Sequence, residues 1–235
     1  MRGRRRDAHD GRRPVAARLA AILVVASLAL ALAGCGAVTP APSGPTALPA
    51  GTYTSRGFQP PVTYTVPAGW WNRTDRADFL SLQPVNSDLV GIYLFRDPLP
   101  MSQDPTCPTA AEPDVATTSL ALAAWIRSLP GLVVSNPRLV EIGGLRGTEL
   151  DVAIRPDWTA SCPFANGVPT VPLFVGADNQ LRWVVAGSER LRLSLLDVPG
   201  GGTVVVDIDA FDGSFWDDLL AAATPIVRSF VFAAE

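Results

Sequence analysis

Residues 19–34 run for sixteen positions without a charge, directly behind a segment, residues 1–18, that holds seven of the nineteen arginines. A chain built this way divides before it folds, because a basic stretch followed by an apolar one is an export signal and not part of a globular core. As a helix the apolar run would reach about 24 Å at 1.5 Å per residue, short of the roughly 30 Å hydrocarbon core that a spanning helix crosses. Removal after export explains it better than a permanent span.

The run ends Leu32-Ala33-Gly34-Cys35, which resembles the lipobox of bacterial lipoproteins. That resemblance implies a diacylglyceryl group on the Cys35 thiol, cleavage just before it, and acylation of the new amine, commonly with palmitate. One acyl chain anchors a protein only marginally, whereas two or more hold it stably. The expected location is the extracytoplasmic face of the cell membrane. Arg12-Arg13 raises the twin-arginine export route, but Pro14-Val15-Ala16 behind it departs from the usual pattern, and both export routes stay open.

Residues 36–50 carry four prolines and no charge. With Cys35 they read as a lipidated, Pro/Ala-rich tether of about 45 Å reach in polyproline geometry. The expected division is therefore residues 1–34 signal peptide, 35–50 tether and 51–235 one α+β domain. Once the signal is gone, twelve arginines face twenty acidic residues, and the chain has no lysine. Such a surface repels polyanions, which argues against nucleic acid as a partner. Cys107 and Cys162 remain as an even pair in an oxidising compartment and are expected to be bridged. A redox role would favour a Cys-x-x-Cys spacing, which is absent.

Periodicity predicts strands over 61–66, 79–82, 89–95, 171–175, 181–186, 190–198 and 203–209. Residues 138–142, Gly143-Gly144 and residues 145–154 form the clearest hairpin signal. Helical spacing appears over 115–129, with Asp114 available as N-cap and Pro130-Gly131 as the stop, and again from Phe215 to Phe230, where Pro225 implies a kink or a fresh start capped by Thr224. Short strands joined by tight turns argue for an antiparallel sheet.

The strand end Val66-Pro67-Ala68-Gly69-Trp70, the central hairpin and the closing stretch from Phe215 to Phe232 resemble PsbP-like domains, which include actinobacterial lipoproteins of the LpqN type. The resemblance covers most of residues 51–235. It implies an α+β fold, an antiparallel sheet flanked by helices in an α/β/α sandwich, acting through partners and without shared catalytic residues. Cys107 and Cys162 are not part of that pattern, and residues 101–112 read as an insertion.

The chemistry search is mostly negative. His9 is the single histidine and leaves with the signal, which removes histidine acid–base catalysis, Ser-His-Asp and Cys-His nucleophiles and histidine metal ligands; lysine chemistry is absent as well. No cofactor or metal is expected, and the domain is read as a non-enzyme. The run from Asp207 to Gly213, with Asp217 and Asp218 beyond, is similar to a calcium loop but departs from its spacing by one residue and has no glutamate at the required distance. A solvated strand face leading into an acidic helix N-terminus is the preferred reading. Twenty scattered acids single out no glycosidase pair.

Trp125, Trp183 and Trp216 fall on predicted elements and read as core; of the adjacent Trp70 and Trp71 only one can be. Trp158 differs, lying in the loop 155–169 with Phe164 and Cys162. A bridge would bring that loop to residues 101–112, so that Asp104, Trp158 and Phe164 form a candidate binding surface; the competing reading is that the two aromatics merely cap the core. Two functions are carried forward. One is a tethered binding or assembly module for an envelope protein or component, and the other a carrier of a small apolar ligand or lipid.

Overall fold

The computed structural model describes residues 38–42, 44–178 and 182–234. The expected signal, residues 1–34, and Cys35 lie outside the described residues. In chain order the strands are β1 (Val38–Pro40), β2 (Thr46–Leu48), β3 (Gly51–Thr54), β4 (Val62–Val66), β5 (Trp70–Asp75), β6 (Phe79–Pro84), β7 (Val90–Arg96) and β8 (Leu99–Pro100). Helix α1 (Ser119–Ser128) leads to β9 (Leu132–Val134), β10 (Arg138–Ile142), β11 (Leu145–Ile154), β12 (Thr170–Val175), β13 (Arg182–Ala186), β14 (Arg190–Asp197) and β15 (Thr203–Ala210), and the chain closes with α2 (Trp216–Arg228) and β16 (Val231–Phe232).

The centre is a nine-stranded sheet in the order β10-β11-β14-β15-β7-β6-β5-β2, with β9 paired to the far end of β11. Its β14–β15–β7 heart is fully antiparallel and long, each strand supplying seven or more residues. Alternation along β15 shows how the molecule is layered. Val204, Val206, Ile208 and Ala210 face one core, and Val205 faces a second core on the opposite side. A strand covered on both faces reads as a continuous apolar run where the coverage is complete, as Val204-Val205-Val206 does.

The first core lies under α2 and a four-stranded sheet, β1-β3-β4-β16, which brings Phe58, Tyr64 and Phe230 onto Leu82, Ile92 and Leu94. Helix α2 presents Trp216, Leu219, Ala223, Ile226 and Val227 at helical spacing, with Asp217 and Asp218 in its first turn and Arg228 in its last, matching the helix dipole. It runs through Pro225 without a restart; the Thr224 hydroxyl donates to the Leu220 carbonyl at 2.6 Å. The second core lies under α1 and a three-stranded sheet, β13-β12-β8, and packs Leu122 and Ile126 with Phe174, Leu193 and Leu195. Burying each such side chain stabilises the fold by about 1.5–3 kcal/mol.

The expected α+β class with an antiparallel sheet holds, but each face carries one helix and one small sheet, so the molecule is richer in sheet than a helix-flanked sandwich. Two further expectations are corrected. Pairing begins before Gly51: Val38–Pro40 lie parallel to Thr52–Thr54, Thr46–Leu48 pair with Trp70–Asn72, and Ala41 and Leu48 are buried. The compact unit starts at Val38, because a proline-rich segment without charge can still supply edge strands where its N–H groups face away from the ladder. Helix α1 starts at Ser119 and not near Val115. Thr118 caps it, and Asp197 from β14 accepts from the Ser119 N–H at 2.8 Å and the Ser119 hydroxyl at 2.6 Å. Asp114 sits instead at φ +62°, outside helical geometry.

Candidate functional site

Cys107 and Cys162 are bridged, with Cα atoms 5.6 Å apart. The bridge joins the two loops named above and frames a small cleft of about 170 Å³ lined by Gln103, Asp104, Pro130, Trp158 and Thr170. Asp104 and Trp158 are thus brought together, while Phe164, 43% exposed on a short turn after the half-cystine, does not line the cleft.

The local contacts differ between these residues. The Trp158 indole N–H donates to the Thr170 carbonyl at 2.9 Å, and its ring lies so close to Gly131 that a Cβ there would come within 2.6 Å of it. Its inner edge packs on the second core. Asp104 is exposed and accepts from both the Thr106 hydroxyl and the Thr106 N–H, at 2.6 and 2.8 Å, which hold its carboxyl below the usual carboxylate range. The walls of the cleft are therefore fixed by covalent and hydrogen bonds.

The acidic run near Asp207 behaves unlike the solvated strand face expected from the sequence. Asp207 is fully buried and Asp209 is 5% exposed, both on the second face of β15, with Ile208 turned to the first core. Asp212 is half-buried and accepts from the Ser214 N–H at 2.9 Å, and Asp217 and Asp218 lie on α2. The five acids do not converge, and among the described residues no group of three or more metal-ligating side chains is placed to hold an ion.

Asp209 meets a different acid. Glu189, in the turn between β13 and β14, is 3% exposed and accepts the Ala186 N–H at 2.6 Å. Burial raises the proton affinity of Asp207, Asp209 and Glu189 alike; their mutual charge adds to the effect on Glu189 and Asp207, and a hydrogen bond between Glu189 and Asp209 lets the pair share a proton. Neither oxygen of Asp207 has a hydrogen-bond partner, nor does Oδ1 of Asp209.

Beside these acids a cleft of about 370 Å³ opens to the surface, lined by Asp88, Tyr93, Trp183, Glu189, Asp209 and Phe211 among others. Tyr93 and Trp183 pack with ring centroids 4.6 Å apart, and the Tyr93 hydroxyl accepts from Gln83 Nε2 at 2.8 Å. Asp88, at the mouth, is ion-paired with Arg73. Sequence reasoning missed this group because Glu189 lies eighteen residues from Asp207 and joins it only through the β14–β15 ladder. The one signal on offer was the unbroken Val204-Val205-Val206 run, which marks a strand covered on both sides.

No family model matches the chain, and no curated protein sequence matches it. Among solved structures, the solution structure of cyanobacterial PsbP (CyanoP) from Synechocystis sp. PCC 6803 is weakly similar, with 10% identity and a TM-score of 0.42 over 82% of this chain and 98% of that one. A crystal structure from Bacteroides thetaiotaomicron VPI-5482 aligns at 10% identity and a TM-score of 0.33, over 74% of this chain and 46% of that one.

Proposed function

We propose that the chain is a non-catalytic recognition module of the cell envelope, held to the membrane by lipid on Cys35 and binding a protein or envelope component through the loops that the Cys107–Cys162 bridge joins. The observation that supports this most is the bridge itself: it fixes two loops that are distant in sequence into one walled cleft on a sheet packed on both faces. A rigid loop cluster of this kind loses little conformational entropy on binding. Phe164 supplies an exposed aromatic beside the cleft and Asp104 an exposed carboxylate on its wall. The carrier alternative needs an apolar hollow between sheet and helices, where Leu122 and Ile126 on one side and Leu219 and Ile226 on the other already fill the space.

Two measurements test the reading. Metabolic labelling with an alkyne fatty acid should mark the wild-type chain and not Cys35→Ala; labelling of both at equal level would remove the anchor. A photo-crosslinking amino acid placed at position 104 or 164 should then trap a defined envelope component in living cells. Leu139, 95% exposed on the β10–β11 hairpin, is the competing position. Crosslinks from 139 alone would move recognition to the hairpin and refute the loop assignment.

A further inference from the structure

We propose that the cleft between β7, β13 and the end of β15 binds the protonated amine of a small organic cation, with Asp209 and Glu189 as its hydrogen-bond acceptors and Tyr93, Trp183 and Phe211 as the walls around its apolar body. The proposal is independent of the disulfide-framed loops.

Three observations carry it. The first is charge: among the described residues the lining brings in the carboxyl groups of Asp88, Glu189 and Asp209 and no basic side chain. The second is an unsatisfied, buried acceptor on a residue of the lining. Asp209 is 5% exposed and lines the cleft, yet its Oδ1 has no hydrogen-bond partner, and behind it both oxygens of the fully buried Asp207 are in the same state. A buried carboxyl group without a partner costs free energy that a cationic donor recovers. The third is the wall. Tyr93 and Trp183 are packed ring on ring, and Phe211, 53% exposed, stands at the opening. Aromatic faces within about 6 Å of a cation attract it, and more strongly when water is excluded.

A protonated amine fits these features better than a bare metal ion. It brings two or three N–H donors to acceptors that lie on one side of the cleft, and its carbon chain covers Leu89, Val184 and Ala186, which complete the lining. It also explains how the acids coexist. Without a ligand the Glu189–Asp209 pair holds a proton, because burial and their mutual charge disfavour ionising both. An arriving ammonium group supplies the positive charge in place of that proton, which leaves to solvent. Affinity should therefore rise with pH as Asp209 ionises. The groups facing Asp209 are Glu189 from the β13–β14 turn, Asp207 on its own strand, and Tyr93 from β7, with Asp88 and its partner Arg73 at the mouth; burial holds the protons on Glu189, Asp207 and Tyr93, and Arg73 is paired with Asp88, so Asp209 is the group whose ionisation sets the pH dependence.

The test uses the full-length protein in detergent, titrated with phenethylamine hydrochloride at pH 8 and pH 5.5 and followed by calorimetry and tryptophan emission. Saturable one-to-one binding is expected, about tenfold weaker at pH 5.5, with 2-phenylethanol and choline binding at least tenfold more weakly because one lacks the charge and the other the N–H donors. Asp209→Asn should weaken binding at least tenfold, and Glu189→Gln provides the same reading if the first variant melts early. The proposal is overturned by any of four results: no saturation at millimolar amine, equal binding of 2-phenylethanol or choline, unchanged affinity in a well-folded Asp209→Asn or Glu189→Gln, or calcium chloride binding more tightly than the amine.

Discussion

Gly91 on β7 stands directly opposite Asp209 on β15, and the Tyr93 ring lies back over the space where a side chain at position 91 would be. A Cβ there would come within 2.9 Å of the Tyr93 ring carbon and hydroxyl and 3.0 Å of Gln83. The ring cannot give way freely, since Trp183 and Phe79 both pack against it. Gly91→Ala should therefore lower stability by about 1–3 kcal/mol through overpacking and shift tryptophan emission as Trp183 moves. A chemical-denaturation midpoint equal to wild type would show that the ring is not held.

The buried acids set how stability depends on pH. Asp207, Asp209 and Glu189 all bind protons more tightly folded than unfolded, chiefly because burial disfavours their charge, with Asp209 at about 7. Above a pH of about 4 the unfolded chain has released protons that the native state retains, so stability falls as pH rises from there through about 7 and beyond. Asp104, Asp157 and Asp212 are shifted downward instead, and their contribution is present throughout this window and lost only in acid. The melting midpoint at pH 5.5 should exceed that at pH 8 by about 5 °C or more, since 1 kcal/mol corresponds to about 2–4 °C in a domain of this size. A flat or rising midpoint over that range would contradict the burial of the acids.

Replacing one of them isolates the cause. Asp207→Asn keeps the shape and removes the group whose two oxygens have no partner. It should raise the midpoint at both pH values and by clearly more at pH 8 than at pH 5.5, narrowing the gap between the two conditions. Equal shifts at both pH values would point to packing and not to charge.

Trp158 and Phe164 should separate in a melting experiment. Trp158 rests on Gly131 and holds the Thr170 carbonyl. Because it is only partly buried, Trp158→Ala should cost about 2–3 kcal/mol, below the 3–5 of a fully enclosed tryptophan. Phe164→Ala should leave the midpoint within about 0.5 kcal/mol of the parent, as surface substitutions do. The reverse order would assign the core-capping role to Phe164.

The bridge spans a sequence separation of 55 residues. In the chain-entropy model such a loop stabilises the fold by about 4 kcal/mol. Cys107→Ser and Cys162→Ser should each lower the thermal midpoint, and the double variant should add little, because either change alone opens the loop. Additive losses would mean that the two sulfurs contribute separately.

What the sequence determined by itself was local or pairwise. The Gly143-Gly144 turn set the β10–β11 hairpin with Ile142 opposite Leu145, because two residues free to take positive φ close a hairpin without help from elsewhere. Helical spacing located α2 through Leu219, Ile226 and Phe230, although Phe215 and Ala222 of the same stripe are exposed and their neighbours Trp216 and Ala223 are buried, and with Cys35 set aside two cysteines allowed one pairing. Tertiary structure decided the rest. Helix α1 begins where Asp197, 78 residues away, accepts from Ser119, and no local pattern shows a cap delivered from another strand. Val38–Pro40 and Thr46–Leu48 become strands only because β3 and β5 offer them open edges. The same limit hid the buried acids. A period of two assigns Asp207 and Asp209 to one side of β15, but whether that side meets water or a second layer depends on where β13 and its turn come to rest, and that placement is fixed by contacts too far apart in the chain for alternation to record.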